Sequence, residues 1–342
     1  MPFDPRSYTH ESDRATLAAL QAIPGFPAVC KAFMSVWNER QDRILNMSSR
    51  IRISEDQLGR YYRMLPPVCE QLGIPVPDLF LEMNVNPNAY TSGDTNPYIV
   101  LTSGLLDQVE EELIPTVLAH ECSHIACHHV LYLTMGRTIL NGAGIALSMT
   151  RNGGLLTVPL RVAFYYWMRS SEFSADRGAV LCDGSPDNMQ AVCMRLAGFG
   201  KGIRDTGDIE TFMRQAEDYQ QMVSSSKWDR TLEYMILSGA SHPLMAVRAL
   251  ECQKWADSPR FLQALQGLPP ETDGGSSLAR VKTDTIDFLR QQGKRLTDTI
   301  QGAGQKNQDP FVLLAEYEKL MEAGKMTREE FEAKRRELIY GK

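Results

Sequence analysis

The residues best suited to chemistry lie in one short run, Val117-Leu118-Ala119-His120-Glu121-Cys122-Ser123-His124, which contains the pattern HExxH. Residues four apart on a helix share a face, so His120 and His124 can converge on one metal ion. Zinc suits two imidazoles at this spacing, and Glu121 stands beside them, placed to work on water. Leu113, Val117 and Leu118 supply the apolar flank that would bury such a helix.

Catalytic zinc takes a third protein ligand and keeps an open position. His128 lies about 12 Å along the helix axis from His120, too far to reach the same ion. In the metzincin spacing a third histidine falls at position 130, where Val130 stands. His128 and His129 are therefore read as solvated or supporting residues, and Cys122 and Cys127 as packing residues. The ligand is expected from Arg169-Ser170-Ser171-Glu172-Phe173-Ser174-Ala175-Asp176-Arg177. Glu172 and Asp176 are four apart on an expected helix. One carboxylate would bind the metal, and the other would accept a hydrogen bond from a ligating imidazole and fix its tautomer. The plainer alternative pairs them with Arg169 or Arg177. Another island, Ser241 to Arg248, puts His242 before Pro243 at a helix start. His242 could stabilise an oxyanion there or serve as a structural N-terminal residue. Arg248, two turns on, could pair with Asp176.

These residues need elements to hold them. The first eighty residues read as helices, with a turn at Pro24-Gly25-Phe26-Pro27 and a capping box at Ser54-Glu55-Asp56-Gln57 opening a helix to about Leu72. Leu79 to Val85 reads as a strand, and Ala89-Tyr90-Thr91 and Tyr98 to Leu101 as two more around a turn at Gly93-Asp94. Continuous helix is expected from about Glu110 to Met135, and again from about Pro159 to Leu181. Ser185-Pro186 reads as an N-cap with proline at the first helical position. Leu268 to Gly275 is the clearest linker. Three units follow: a metallopeptidase-sized domain over 1–266, a linker with an amphipathic helix over 267–308, and a helical hairpin over 309–342. In the hairpin, Gly324 ends one helix and Thr327 to Glu330 is a capping box that opens the next.

The 342 residues suffice for one large domain or two small ones. A net charge of -6 argues against nucleic acid as a partner, since phosphate binding needs a basic face. Seven cysteines with no CxxC pair fit a reducing compartment, and the polar N-terminal run shows no apolar secretory core. The apolar stretches Ile139 to Met149 and Leu155 to Met168 are bounded or interrupted by Arg137, Arg151 and Arg161. They read as core helices, with a membrane-touching surface as the alternative.

In their order, these islands resemble the HtpX-like and CAAX-prenyl-endopeptidase family of zinc metallopeptidases, which are gluzincins. The resemblance runs through Asn88-Ala89-Tyr90, Gly104-Leu105-Leu106, Val117 to His124, Glu172 to Asp176, and His242-Pro243 with Arg248, over roughly residues 75 to 255. It implies an α+β, predominantly helical zincin-like fold with a small antiparallel sheet. It also implies one zinc ion on His120, His124 and Glu172, with Glu121 as general base and His242 at the transition state. Asp176 and Arg248 would support the site, and Asn88, Ala89 and Tyr90 would pair with the substrate backbone. The tail from Asp309 resembles the SHOCT short C-terminal domain, a hairpin too small to be stable alone, which would dock on the rest of the chain, on a partner or on a second copy.

The expected activity is endopeptidase cleavage of unfolded polypeptide in protein quality control. The expected place is the cytoplasm, with the inner face of the membrane as the alternative. Two rivals are a zinc-containing chaperone or scaffold and a narrow processing peptidase.

Overall fold

The computed structural model describes residues 1–23, 39–138, 153–203, 207–225 and 244–268, with isolated positions at Phe26, Cys30, Phe33, Met326, Thr327 and Glu330. His242, Pro243, the stretch 139–152, the linker helix and all but three positions of the 309–342 hairpin lie outside the described residues. At Thr327 and Glu330 the expected capping box forms. The Glu330 carboxylate accepts from Thr327 N at 2.9 Å, and Thr327 Oγ1 accepts from Glu330 N at 3.2 Å.

The chain opens with α1 (Pro5–Tyr8), α2 (Glu11–Gln21) and α3 (Glu39–Ser49). Strand β1 (Ile51–Ile53) precedes α4 (Gly59–Tyr62) and α5 (Leu65–Leu72). Strands β2 (Asp78–Glu82), β3 (Ala89–Ser92) and β4 (Tyr98–Thr102) follow. Next come α6 (Ser103–Gln108), α7 (Ile114–Ala126), α8 (Val130–Thr138) and the 31-residue α9 (Gly153–Asp183). The last described helices are α10 (Asp187–Leu196), α11 (Ile209–Ser225), α12 (Met245–Ala256) and α13 (Pro259–Leu265). The fold is the expected mainly helical α+β arrangement.

The sheet departs from expectation in being mixed rather than antiparallel. Its order is β1-β2-β4-β3, with β2 and β4 parallel and the other two pairs antiparallel. The reason lies in the connection after β2. It arches over Gly104, where a Cβ would sit 2.2 Å from the Val85 carbonyl oxygen. Asn88 N then donates to Thr102 Oγ1 at 2.9 Å, which delivers β3 to the far side of β4. Ile99, Val100 and Leu101 of the central β4 are all fully buried, as a strand covered on both faces requires. The β3–β4 turn is gripped from outside, since Glu39 Oε1 accepts from the backbone N–H of Asp94, Thr95 and Asn96 at 2.6, 2.7 and 3.2 Å.

Three expected helices differ in detail. Ser54 does not cap a helix; it exchanges backbone hydrogen bonds with Gln57, and helix begins only after Leu58, which has φ 60°. β1 pairs with β2, so the chain must reverse there before any helix can start. The helix expected from Glu110 to Met135 breaks at Cys127–His129. His128 adopts φ 58°, His129 N bonds to His124 O at 2.9 Å and His128 N to Ile125 O at 3.0 Å. That is a Schellman ending, normally built on glycine. Downstream, Ser185 Oγ accepts from Asp187 N at 3.2 Å, and the helix starts one residue later than expected.

The larger core cluster joins the sheet to α5, α7, α9, α10 and α12, and a second one gathers Leu20, Leu133, Phe164 and Trp167. Helices α7 and α9 meet closely at Gly178. A Cβ there would lie 2.1 Å from Ser123 Oγ, 2.7 Å from Ser123 Cβ and 3.0 Å from Tyr8. Ser123 belongs to the HExxH run, so this contact sets how near the two helices bring their side chains. Alanine would gain about 1 kcal/mol of helix propensity. Gly178→Ala is nevertheless expected to destabilise the protein by about 1–3 kcal/mol through overpacking, read as a lowered Tm in thermal unfolding. An unchanged or raised Tm would show that the helices are not held at this contact.

Candidate metal centre

Three helices and one strand meet around His120. Helix α7 starts on Pro115, where a missing N–H costs nothing. It presents His120 and His124 one turn apart, with Glu121 next to His120, all buried. Glu172 reaches in from α9, and its Oε2 and Oε1 lie 3.5 Å from His120 Nε2 and His124 Nε2 respectively. His120, His124 and Glu172 each offer a ligand atom, with all three atoms within 4.8 Å of one another. Among the described residues no other cluster of His, Cys, Asp or Glu could hold a metal. His124 Nε2 is buried and makes no hydrogen bond, and two imidazoles with one carboxylate are a donor set suited to a divalent ion. The residues therefore fit a metal.

Asp176, one turn beyond Glu172, faces the outer side of His120. Its Oδ1 lies 2.8 Å from His120 Nδ1. Arg248 on α12 clamps the same carboxylate with Nε at 2.8 Å and Nη2 at 2.6 Å, and its Nη1 is 3.1 Å from Glu172 Oε2. The Asp176–Arg248 pair expected from the sequence is thus present. Burial would raise the Asp176 pKa, and the Arg248 charge outweighs it, holding the carboxyl below its ordinary range. Burial pulls His120 toward its neutral form, but the hydrogen bonds to Asp176 and Glu172 prevail and push its pKa up to about 9. At His124 burial dominates and lowers the pKa to about 4. The two imidazoles diverge because an ionised carboxylate stands behind one and another imidazole, His129, behind the other.

A cavity of about 20 Å³ lies against the site, lined by Ala89, Leu105, Val117, Met189, Val192 and Leu196 with His120, Glu121 and Arg248. It has room for about one water and none for a peptide side chain.

Residues 59–256, more than half of the chain, match the model of peptidase family M48. The chain belongs to the M48 peptidases. It is 30% identical over 265 residues to the plastoglobule-localized metallopeptidase 48 of Arabidopsis thaliana, covering 77% of this chain and 76% of that protein. It is 23% identical to a protease HtpX homolog of Ralstonia nicotianae over 50% of this chain and 67% of the relative. A second HtpX homolog, from Methanosarcina acetivorans, is 25% identical over 49% and 65%. No solved structure matches the chain significantly. As an M48 member the protein is a metal-dependent metalloendopeptidase. No helix among the described residues is long and apolar enough to cross a membrane.

Of the residues singled out from the sequence of this M48 peptidase, His120, His124, Glu172, Glu121, Asp176 and Arg248 come together. Asn88, Ala89 and Tyr90 lie on and before β3, beside them, while His242 lies outside the described residues. Tyr90's side chain turns away, its hydroxyl held by Arg50 Nη2 at 2.6 Å and donating to Glu82 Oε2 at 3.1 Å. Two neighbours, Thr91 and Asp13, were not legible as site residues, and a third, His129, was read only as solvated or supporting. Thr91 Oγ1 donates to Glu121 Oε2 at 2.7 Å. Its position two residues after Ala89, on the same strand face, was the available signal. His129 lies 3.0 Å from His124, Nδ1 to Nδ1, and Asp13 lies behind it. Nothing in the N-terminal segment marks Asp13.

Arg248→Met would leave two buried carboxylates without their guanidinium. The metal-free protein is expected to lose about 3–5 kcal/mol of stability in urea unfolding. A loss below about 1 kcal/mol, the size of a surface pair, would mean that this ion pair does not hold α9 to α12.

Proposed function

We propose that this M48 peptidase is a zinc-dependent endopeptidase in which Glu121 is the general base. The observation that carries the reading is the placement of Glu121. Its carboxylate is buried next to the His120, His124 and Glu172 cluster and is oriented by Thr91. Zinc on those three residues would supply Lewis acidity toward a peptide carbonyl. Glu121 then takes a proton from the attacking water and returns it to the leaving amine. Asp176 and Arg248 hold His120 in place, and His242 is assigned to the oxyanion.

The substrate is a polypeptide. β3 is one of the two edge strands of the described sheet and the one beside the metal cluster, so an extended chain adds there through backbone hydrogen bonds, along the run Asn88, Ala89 and Tyr90. Such binding has little sequence preference and suits unfolded protein in quality control in the cytoplasm. The narrow cavity, covered in part by Met189, Val192 and Leu196 of α10, means that the site must open for a peptide to be cleaved. Residues 1–266 form the peptidase unit, 267–308 the linker and 309–342 a docking hairpin.

Glu121→Gln is expected to retain zinc, measured by elemental analysis, while cleavage of casein falls by about 10²–10⁴-fold. Chelation should abolish wild-type cleavage and zinc should restore it. A Glu121→Gln protein that cleaves at the wild-type rate overturns the role of Glu121, and zinc bound without cleavage of any varied substrate favours a scaffold.

A further inference from the structure

Both histidines of the HExxH run are braced from behind, but by different means. His120 meets a carboxylate directly, in Asp176. His124 meets His129, and His129 Nε2 in turn lies 2.9 Å from Asp13 Oδ2. Asp13 stands on α2, outside the span that matches the M48 model. We propose that Asp13 and His129 are positioning residues of the metal centre, a buried relay from α2 that holds His124 in the tautomer presenting Nε2 to the ion. The inference rests on the reading of His124 as a metal ligand.

The donor and acceptor count around Asp13 gives the direction of the proton that it shares with His129. Asp13 Oδ1 accepts from Trp167 Nε1 at 3.0 Å, and Oδ2 accepts from Ser174 Oγ at 2.6 Å. The ionised carboxylate is acceptor-only, so the hydrogen between it and His129 belongs to His129 Nε2. The relay assigns the lone pair at the 3.0 Å contact to His129 Nδ1. His124 donates its Nδ1–H across the 3.0 Å gap, and its Nε2 is left with a lone pair on the side facing Glu172. Without the carboxylate, His129 can reverse its tautomer, donate from Nδ1 and drive the proton of His124 onto Nε2, where an ion cannot bind.

Every member is buried: Asp13, His129, His124, Ser174 and Trp167 are all 2% exposed or less. Water therefore does not replace a missing partner. The backbone also spends strain to build the relay. The left-handed turn at His128, in a residue without glycine's freedom, is what folds His129 back beneath His124. Helix α2 thus completes the metal centre, and its docking and metal affinity are linked.

The test uses the full chain. Zinc affinity is measured by competition with a chromophoric chelator, and the cobalt-substituted protein is read by its d–d absorption. The variants are Asp13→Asn, which keeps the volume, and His129→Phe, which cuts the relay at a second point. Both are expected to weaken zinc binding by about 10–100-fold and to alter the cobalt spectrum. Leu20→Ala, a buried cavity two turns along the same helix that shares the apolar cluster of Trp167 but makes none of the relay's hydrogen bonds, should lower Tm and leave zinc affinity within about twofold. Wild-type affinity and spectrum in both Asp13→Asn and His129→Phe overturn the proposal, as does an equal loss of affinity in Leu20→Ala. His124→Ala separates the two readings: if it binds zinc as tightly as the wild type, the ligand assignment falls and the relay with it.

Discussion

Charge buried without water is the constraint on which this structure turns. Asp176 and Arg248 are each about 2% exposed, and Glu172, His120 and Glu121 are hardly more so. In a low-dielectric interior an unpaired charge costs several kcal/mol, so each group must find its complement within a few ångströms. Arg248 does this for two carboxylates at once, and in doing so pins α12 to α9. The ionic pairing and the helix packing are therefore one event. Neither α9 nor α12 can shift without stranding a charge.

The packing beneath the site is arranged to permit this. Gly178 lets α9 approach α7 at Ser123, and Gly104 lets the connection before β3 pass close to the backbone. The first brings Glu172 and Asp176 against His120 and His124. The second lays β3 beside Glu121 so that Thr91 can orient its carboxylate. Both glycines act far from the reacting atoms and still decide their geometry, because a few tenths of an ångström at a helix crossing are passed on undiminished by a close-packed core.

One local irregularity falls where chemistry is expected. Helix α7 ends at His128 in a left-handed residue, and α8 starts anew from His129 and Val130. A continuous helix would carry His129 away from His124 along the axis and leave its ring on another face. The small cavity over His120 shows the same economy. Apolar side chains from α6, α7 and α10 and from β3 leave room for only about one water beside the polar cluster, and such low local polarity strengthens the interactions inside it.

Much of the site was legible in the residues themselves. HExxH on a helix determines its own geometry, since a separation of four residues leaves little freedom, and the ExxxD pair obeys the same rule. That His128 could not be a ligand followed from helix length alone. The strand-like and helical runs were legible one by one, and the α+β class came from the family resemblance. The sequence could not decide the parallel pairing of β2 with β4, because strand order depends on which side a connection takes and not on the strands' own periodicity. It also could not show the break at His128, because left-handed turns without glycine carry no signature. Least visible of all was Asp13. A lone aspartate in an amphipathic helix looks like a solvated residue, and only the docking of α2 against Trp167 and Ser174 places it behind His129. Contacts between residues far apart in sequence come from the packing of whole elements, and that is decided only when the chain is folded.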